Sequence, residues 1–205
     1  MAVAGIVAEY NPFHTGHAYQ LTQTRRMVGW ESAVVAVMSG NWVQGGRPAV
    51  LDKWTRARLA LLGGVDLVLE LPTVWAVSSA ETFARGAVTI LERSGVVNVL
   101  SFGSECGYVD RIQRVAVCLN SLEYEVGVGR LAAEGMPFAA ARQAAVQGLL
   151  GEELSSLLAT PNNNLGVEYL RTLDSLKSDI QPMTVRREGA PHDSLLEEAD
   201  RPRHL

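Results

Sequence analysis

The chain has 205 residues, 47% of them hydrophobic, with 18 Lys and Arg against 22 Asp and Glu for a formal net charge of −4. That length supports one substantial core, and that charge excludes a wholly basic nucleic-acid binder while leaving room for a local basic patch. Two unpatterned cysteines, Cys106 and Cys118, exclude a Cys-based zinc site; with no basic segment before Glu9 and no apolar run of ~18 residues, they lead to the expectation of a soluble, cytoplasmic protein with no membrane partner.

Val3 to Ala8 is a continuous apolar run, as expected of a strand buried on both faces. Pro12 breaks it, and a helix opens at His14 or Thr15 and runs to about Val28, ending near Gly29. Ser32 to Met38 reads as a second buried strand and Ser39 to Pro48 as a loop. Asp52 is placed to cap a helix to Leu62, with Gly63-Gly64 as its stop. Asp66 to Leu71 is a third strand, Ser78 to Ser94 a helix, and Val97 to Phe102 a fourth strand. Helical stretches follow over about Val109–Leu122, Gly129–Leu150 with a break near Gly135-Met136-Pro137, Glu152–Leu158 and Asn163–Leu176, and then a last strand over Gln181–Arg187. Short apolar strands alternating with helices predict an α/β fold, a doubly wound parallel sheet with extra helices in the C-terminal half. Residues 1–187 read as one domain, and the charged, aromatic-poor stretch 188–205 as a loosely ordered tail.

In such sheets ligands gather at the carboxyl ends of the strands. Three polar segments fall there: Glu9–His17, Ser39–Arg47 and Gly103–Glu105. The first reads Glu-Tyr-Asn-Pro-Phe-His-Thr-Gly-His and puts two imidazoles around a glycine at a strand-to-helix junction. A helix start offers backbone N–H groups and the positive end of the dipole to a phosphate. Imidazoles there can donate to charge that develops on a phosphoryl group. The competing reading is a capped helix with two exposed histidines. Asn11 either binds ligand or caps a turn, and Phe13 reads as packing. Asn41 and Gln44, in the loop after the second strand, could reach a nucleotide or a second substrate. Lys53 and Arg56 share a helix face and could neutralise phosphates or contact RNA; a solvated helix face is the alternative. Asp66 and Glu70 read as structural, with nothing in the sequence to pair them. Asn162-Asn163-Asn164 could cap a helix or leave amides for a base edge, and Arg186-Arg187 could hold phosphate.

Read in order, these stretches resemble the tRNA(Met) cytidine acetate ligase family, within the HxGH nucleotidyltransferase superfamily. The resemblance rests on Gly5 through His17, on Met38-Ser39-Gly40-Asn41-Trp42-Val43-Gln44, and on Asp52-Lys53-Trp54-Thr55-Arg56-Ala57. It continues through Gly64 to Pro72, Phe102-Gly103-Ser104-Glu105, Pro161 to Gly166, and Arg186-Arg187-Glu188-Gly189-Ala190. It implies a Rossmann-like catalytic domain that binds ATP, with Mg²⁺ as the default companion of the phosphates. It also implies activation of acetate as acetyl-adenylate and transfer of the acetyl group to N4 of the wobble cytidine of elongator tRNA(Met). Carried over by position, the ATP site comprises Val7, Ala8, Glu9, Tyr10, Asn11, Pro12, Phe13, His14, Thr15, Gly16, His17, Ala18, Tyr19 and Gln20, with Gly103, Asn163, Arg186 and Arg187. His14 and His17 are its catalytic pair, stabilising the α-phosphate. Two departures stand out. Gln44-Gly45-Gly46-Arg47-Pro48 replaces the family's Gln-Arg-Gly-Glu-Pro. After His192-Asp193, where the family continues into a Ser-Ala-Thr-x-Ile-Arg-like motif and a C-terminal helical domain that grips tRNA, Ser194 leads instead into Leu195 to Leu205. The expectation is a chain without that domain. Two further readings remain: a related nucleotidyltransferase with a small-molecule acceptor, and an inactive ATP-binding remnant.

Overall fold

The computed structural model describes residues 1–187; the expected tail, 188–205, lies outside the described residues. Five parallel strands form the main sheet: β1 (Val3–Ala8), β2 (Ala33–Ser39), β5 (Leu67–Leu71), β6 (Val99–Ser104) and β7 (Gln181–Arg186). Their spatial order is β5-β2-β1-β6-β7. The chain therefore builds outward from β1 on one side, then crosses back to build on the other, and the reversal lies between β1 and β6. A minor hairpin, β3 (Trp42–Val43) with β4 (Arg47–Pro48), stands in the segment expected to be loop.

Alternation along β1 and β2 divides the interior in two. Ala4, Ile6, Val34, Ala36 and Met38 face a smaller core with Leu21 of α1 (Thr15–Val28) and Ala60 of α2 (Lys53–Leu62). Val35 and Val37 face a larger core with α4 (Ala80–Arg93) and α9 (Pro161–Leu176). Each large apolar side chain buried in this way contributes roughly 1.5–3 kcal/mol. Gly5 allows α4 to close on β1, because a Cβ there would lie 2.8 Å from Leu91 Cδ1. After the short α3 (Thr73–Ala76), which precedes α4, the remaining helices α5 (Val109–Leu119), α6 (Leu122–Ala133), α7 (Phe138–Leu150) and α8 (Glu152–Ser155) build the extra C-terminal layer beside α9. The carboxylate of Glu168, buried in α9, pairs with Arg142 of α7 and with Arg171 at 2.9 Å, which ties that layer down.

The helix boundaries depart from the sequence reading in the C-terminal half. The expected helix starting at Gly129 begins at Leu122, because Ser121 Oγ accepts from the Tyr124 N–H and caps it. The last helix begins at Pro161, a residue suited to a first helical position because the N–H it lacks would find no partner in the helix. Asp52 caps α2 as expected, accepting from the N–H groups of Trp54 and Thr55. Among the described residues, no helix is long and apolar enough to cross a membrane.

Candidate active site

The pairing of β1 with β6 stops at Gly5 and Leu100, whereas β1–β2 runs on to Ala8 and Met38 and β6–β7 to Ser104 and Arg186. The two central strands thus part toward their carboxyl ends at the point where strand order reverses, the place where doubly wound sheets bind ligands. Gln20 of α1 reaches into the gap and donates to the Ser101 carbonyl at 3.4 Å, and Thr24 meets Ser101 Oγ at 2.6 Å. Above the gap lies a cavity of about 330 Å³. A larger hollow of about 1120 Å³ lies elsewhere, between α4, α9 and the edge strand β5. The smaller one is the better candidate because the histidines, the strand ends and the switch point converge on it.

One wall is the turn after β1. Glu9, Tyr10, Asn11 and Pro12 all line the cavity, and the Asn11–Pro12 peptide is cis. Tyr10 adopts φ +45°, a left-handed conformation unusual for a bulky side chain, and is held there by burial. Its ring meets Phe13 edge-on at 5.1 Å and His17 at 4.8 Å, and burial pushes its hydroxyl pKa up. Phe13 is packing, as expected: its ring lies over Gly63, where any Cβ would collide with it.

His14 is the N-cap of α1. Its Nδ1 accepts from the Gly16 N–H at 3.1 Å, and His17 Nδ1 accepts from the His14 N–H at 3.2 Å. This is a reciprocal capping box built from two imidazoles. The helix-cap reading is thus what the geometry shows, and it does not take the two rings away from the cavity. With each Nδ1 spent as an acceptor, the proton of each neutral ring sits on Nε2. The rings lie 3.8 Å apart, tilted 32°, and both line the cavity.

The opposite wall comes from β6, α9 and the end of β7: Phe102, Gly103, Pro161, Asn162, Leu165, Tyr169 and Arg187, with Phe83 from α4. Glu105 stands at the N-terminus of α9, where Thr160 supplies no side-chain cap. Its carboxylate accepts from Asn162 Nδ2 at 2.7 Å and from the N–H groups of Asn162 and Asn163 at 3.2 and 2.7 Å. Burial pushes the Glu105 carboxyl up, but these bonds outweigh it and hold it below the usual range. Burial lowers the Arg187 guanidinium, and the Glu105 charge opposes that shift.

Of the positions carried over to the nucleotide, Val7 to Pro12, His14, His17, Gln20, Gly103 and Arg187 line the cavity. Thr15, Gly16, Ala18 and Tyr19 belong to the first turns of α1 but do not line it. Asn163 needs correction: it is 2% exposed, with its oxygen accepting from Cys106 N–H and its amide donating to Thr160 Oγ1. Its neighbour Asn162 faces the cavity instead. Arg186 also needs correction. The strand alternation that brings Arg187 inward turns Arg186 outward, with its stem over Gly107.

Of the four second-substrate candidates, Gln44 lines the cavity, and its N–H donates to Glu9 Oε1 at 2.7 Å. Asn41 Oδ1 accepts from the Lys53 N–H at 2.8 Å. Lys53 Nζ pairs with Glu70 at 2.7 Å, so Glu70 has a partner after all, as Asp66 has in Arg25 at 2.7 Å. Arg56 corrects the sequence reading most sharply. It is fully buried and touches no solvent through which RNA could reach it. Its guanidinium donates to the carbonyls of Leu51, Glu9, Ser39 and Gly40. Arg56 therefore binds the turn after β1 to the loop after β2. Asn11 adds a further tie, accepting from the Val50 N–H at 2.7 Å.

Phe83, Leu165 and Tyr169 were not singled out from sequence as site residues. A signal existed for two of them: Asn162, Leu165 and Tyr169 recur at spacings of three and four, which is one face of a helix.

The profile of the HIGH nucleotidyl transferase family, HIGH_NTase1, matches residues 1–200. The chain belongs to this family. Among curated relatives, the tRNA(Met) cytidine acetate ligase of Clostridium botulinum strain Langeland is 44% identical over 200 residues, covering 94% of this chain and 49% of the relative. That of Caldanaerobacter subterraneus subsp. tengcongensis is 45% identical over 198 residues, covering 95% and 49%. The crystal structure of Thermotoga maritima TmcAL bound with alpha-thio ATP superposes with a TM-score of 0.88 at 42% identity, covering 95% of this chain and 48% of that one. The doubly wound parallel sheet expected from the strand pattern and the Rossmann-like nucleotidyltransferase fold implied by the resemblance are thus both observed. The chain spans about half the length of the curated relatives it matches.

Proposed function

We propose that this chain binds ATP in the His14–His17 cavity, uses it to convert acetate to acetyl-adenylate, and directs the acetyl group to N4 of the wobble cytidine of elongator tRNA(Met). The observation that carries this reading is the capping box of the two histidines. It fixes both rings through Nδ1 at the helix start, so Nε2 is the nitrogen of each that can donate to a phosphate in the cavity that both rings line. The family to which the chain belongs, and the relative crystallised with an ATP analogue, support the choice of ATP.

In the first step an acetate oxygen attacks the α-phosphorus, a P–O bond to acetate forms, and the bond to pyrophosphate breaks. Negative charge grows on the α-phosphoryl oxygens, where donors fixed in advance stabilise the transition state more than the ground state. His14 and His17 supply those donors, and Arg187 faces the cavity as a fixed positive charge. In the second step the cytidine N4 amine attacks the acetyl carbonyl, AMP leaves with the former acetate oxygen, and the amine loses a proton. Neither step needs a covalent bond to the enzyme; positioning and electrostatics carry both. Mg²⁺ suits this site as a companion of the nucleotide. Among the described residues no group of three or more His, Cys, Asp and Glu could hold an ion alone, and Glu9 is the one acidic residue lining the cavity. The ion would be held mainly by ATP phosphates and would offset their charge. The two free thiols, Cys106 and Cys118, suit the reducing cytoplasm that this reading requires.

Calorimetry with ATP and acetate-dependent pyrophosphate release test the reading, and labelled acetate with tRNA(Met) tests the acceptor. The wild-type chain is expected to bind ATP and His17→Ala to release pyrophosphate ~10²–10³-fold more slowly. Absence of ATP binding at millimolar nucleotide refutes it. Pyrophosphate release that depends on another small acid and ignores acetate selects the small-molecule acceptor instead.

A further inference from the structure

Singly exposed apolar side chains are ordinary, but exposed aromatics on linked segments beside a ligand cavity mark a contact surface. Trp42 is 46% exposed and Trp54 is 75% exposed. They belong to different segments, β3 and the first turn of α2, but the residues next to them are joined. The Lys53 N–H donates to Asn41 Oδ1 at 2.8 Å, and the Ala49 N–H to the Asn41 carbonyl at 2.9 Å. The same hairpin runs from Trp42 through Val43 to Gln44, which lines the nucleotide cavity. The Asn41–Lys53 bond thus ties the segment that carries Trp42 to the first turn of α2 that carries Trp54, and the hairpin reaches the cavity wall through Gln44.

Exposed or ring-contacting cations lie on the same two segments. Lys53 Nζ lies 5.2 Å from the Trp54 ring centroid, Arg58 is exposed one helical turn beyond Trp54, and Arg47 is exposed across the hairpin from Val43. Two carboxylates offset part of this charge: Glu70 pairs with Lys53, and Asp52 is engaged with the N–H groups of Trp54 and Thr55 and with the Thr55 hydroxyl. Flat π faces set among cations suit unpaired bases, which stack on aromatic rings while their phosphates meet the positive charges. An enzyme that reacts with a base must also draw that base out of its stack and hold the strand beside it.

We propose that Trp42 and Trp54 form a stacking platform for unpaired bases of an RNA loop, holding the strand while the reacting cytidine enters the cavity. This rests on the proposed function. It goes beyond that reading by assigning to this half-length chain a nucleic-acid contact surface of its own. A protein segment, such as the second half of the longer relatives, is the competing occupant; the cations on the two segments and the hairpin's reach to the cavity through Gln44 favour RNA.

The test uses the 205-residue chain and a fluorescently labelled anticodon stem-loop of elongator tRNA(Met), titrated at low salt with ATP affinity measured in parallel. Trp54→Ala and Trp42→Ala are expected to weaken RNA binding by about ten- to hundredfold. Trp54→Phe keeps a stacking face and should lie near wild type. Trp30→Ala is the control, because Trp30 is 63% exposed but precedes β2 at the amino ends of the strands, away from the cavity. ATP affinity should be unchanged in the Trp54→Ala and Trp30→Ala variants. Equal RNA affinity in wild type, Trp42→Ala and Trp54→Ala overturns the platform and points to a protein occupant. So does an equal loss in Trp30→Ala, or wild-type ATP binding with no RNA binding. Absence of ATP binding in the wild type instead refutes the proposed function.

Discussion

Replacing Arg56 by Ala should unfold the site from within. Arg56 is fully buried, and its guanidinium holds the carbonyls of Leu51, Glu9, Ser39 and Gly40. Burial depresses its pKa, opposed by the charges of Glu9, Asp52 and Glu70, so the cation persists inside the protein. Truncation to Ala strands the two most deeply buried acceptors, the Ser39 and Gly40 carbonyls, at about 1–3 kcal/mol each. Loss of the packed side-chain stem adds to this, for a total of about 3–5 kcal/mol. In a protein of this size that corresponds to a fall in Tm of roughly 6–20 °C. Arg56→Lys keeps the charge but has no planar fork to span four carbonyls, and should fall between the two. The same variants should weaken ATP binding, because Glu9 and Gln44 lose the brace that sets them at the cavity wall. Calorimetric unfolding and urea titration measure the first effect and nucleotide titration the second. An Arg56→Ala protein within about 1 kcal/mol of wild type would show that these carbonyls are satisfied by water or by a relaxed backbone, and the bracing argument would be wrong.

Further outcomes follow from other residues. His14→Asn keeps a good N-cap while removing the Nε2 donor. Its stability should stay within ~1 kcal/mol of wild type while pyrophosphate release falls ~10²–10³-fold, and a parallel loss of both would show that His14 serves the fold alone. Arg187→Ala should weaken ATP binding about tenfold by calorimetry, with little change in Tm; unchanged affinity would remove Arg187 from the site. For Glu105 the folded-state pKa is depressed, so its contribution is fully present above the ordinary Glu value of 4.5 and is lost as pH falls through the lower folded value. Glu105→Gln should therefore lower the urea midpoint most at neutral pH, with the gap from wild type closing in acid; a gap that widens in acid contradicts the capping role. Gly166→Ala would place a methyl 2.6 Å from Phe102 Cε2. It should cost about 1–3 kcal/mol and disturb nucleotide affinity, because the displaced ring lines the cavity. A neutral effect on both measurements would mean that the ring moves freely.

Much of this site was legible in local pattern. The apolar runs of β1 and β2, the breaker at Pro12, the cap at Asp52 and the histidine pair at the start of α1 are short-range features, decided within a turn or a strand. Strand alternation with helices was enough to place His14 and His17 near a strand end, while Gln20 came only from the family resemblance. Period alone could not say where the long-range partners would fall. Lys53 and Arg56 share a helix in the sequence, yet one pairs with Glu70 near the surface and the other is sealed among backbone carbonyls, because burial is set by what packs against each side of α2. Glu105 finds the N-terminus of α9 57 residues away, and in doing so turns Asn163 inward and leaves Asn162 at the cavity. Phe83 and Tyr169 enter the site only because α4 and α9 pack side by side over the parting of β1 and β6. The sequence by itself determined the elements, the sheet type and the histidine-bearing turn at the end of β1, since those depend on residue spacing and caps. The tertiary structure alone decided which polar groups face ligand and which are spent holding loops together, since a hydrogen bond between distant segments has no period to announce it.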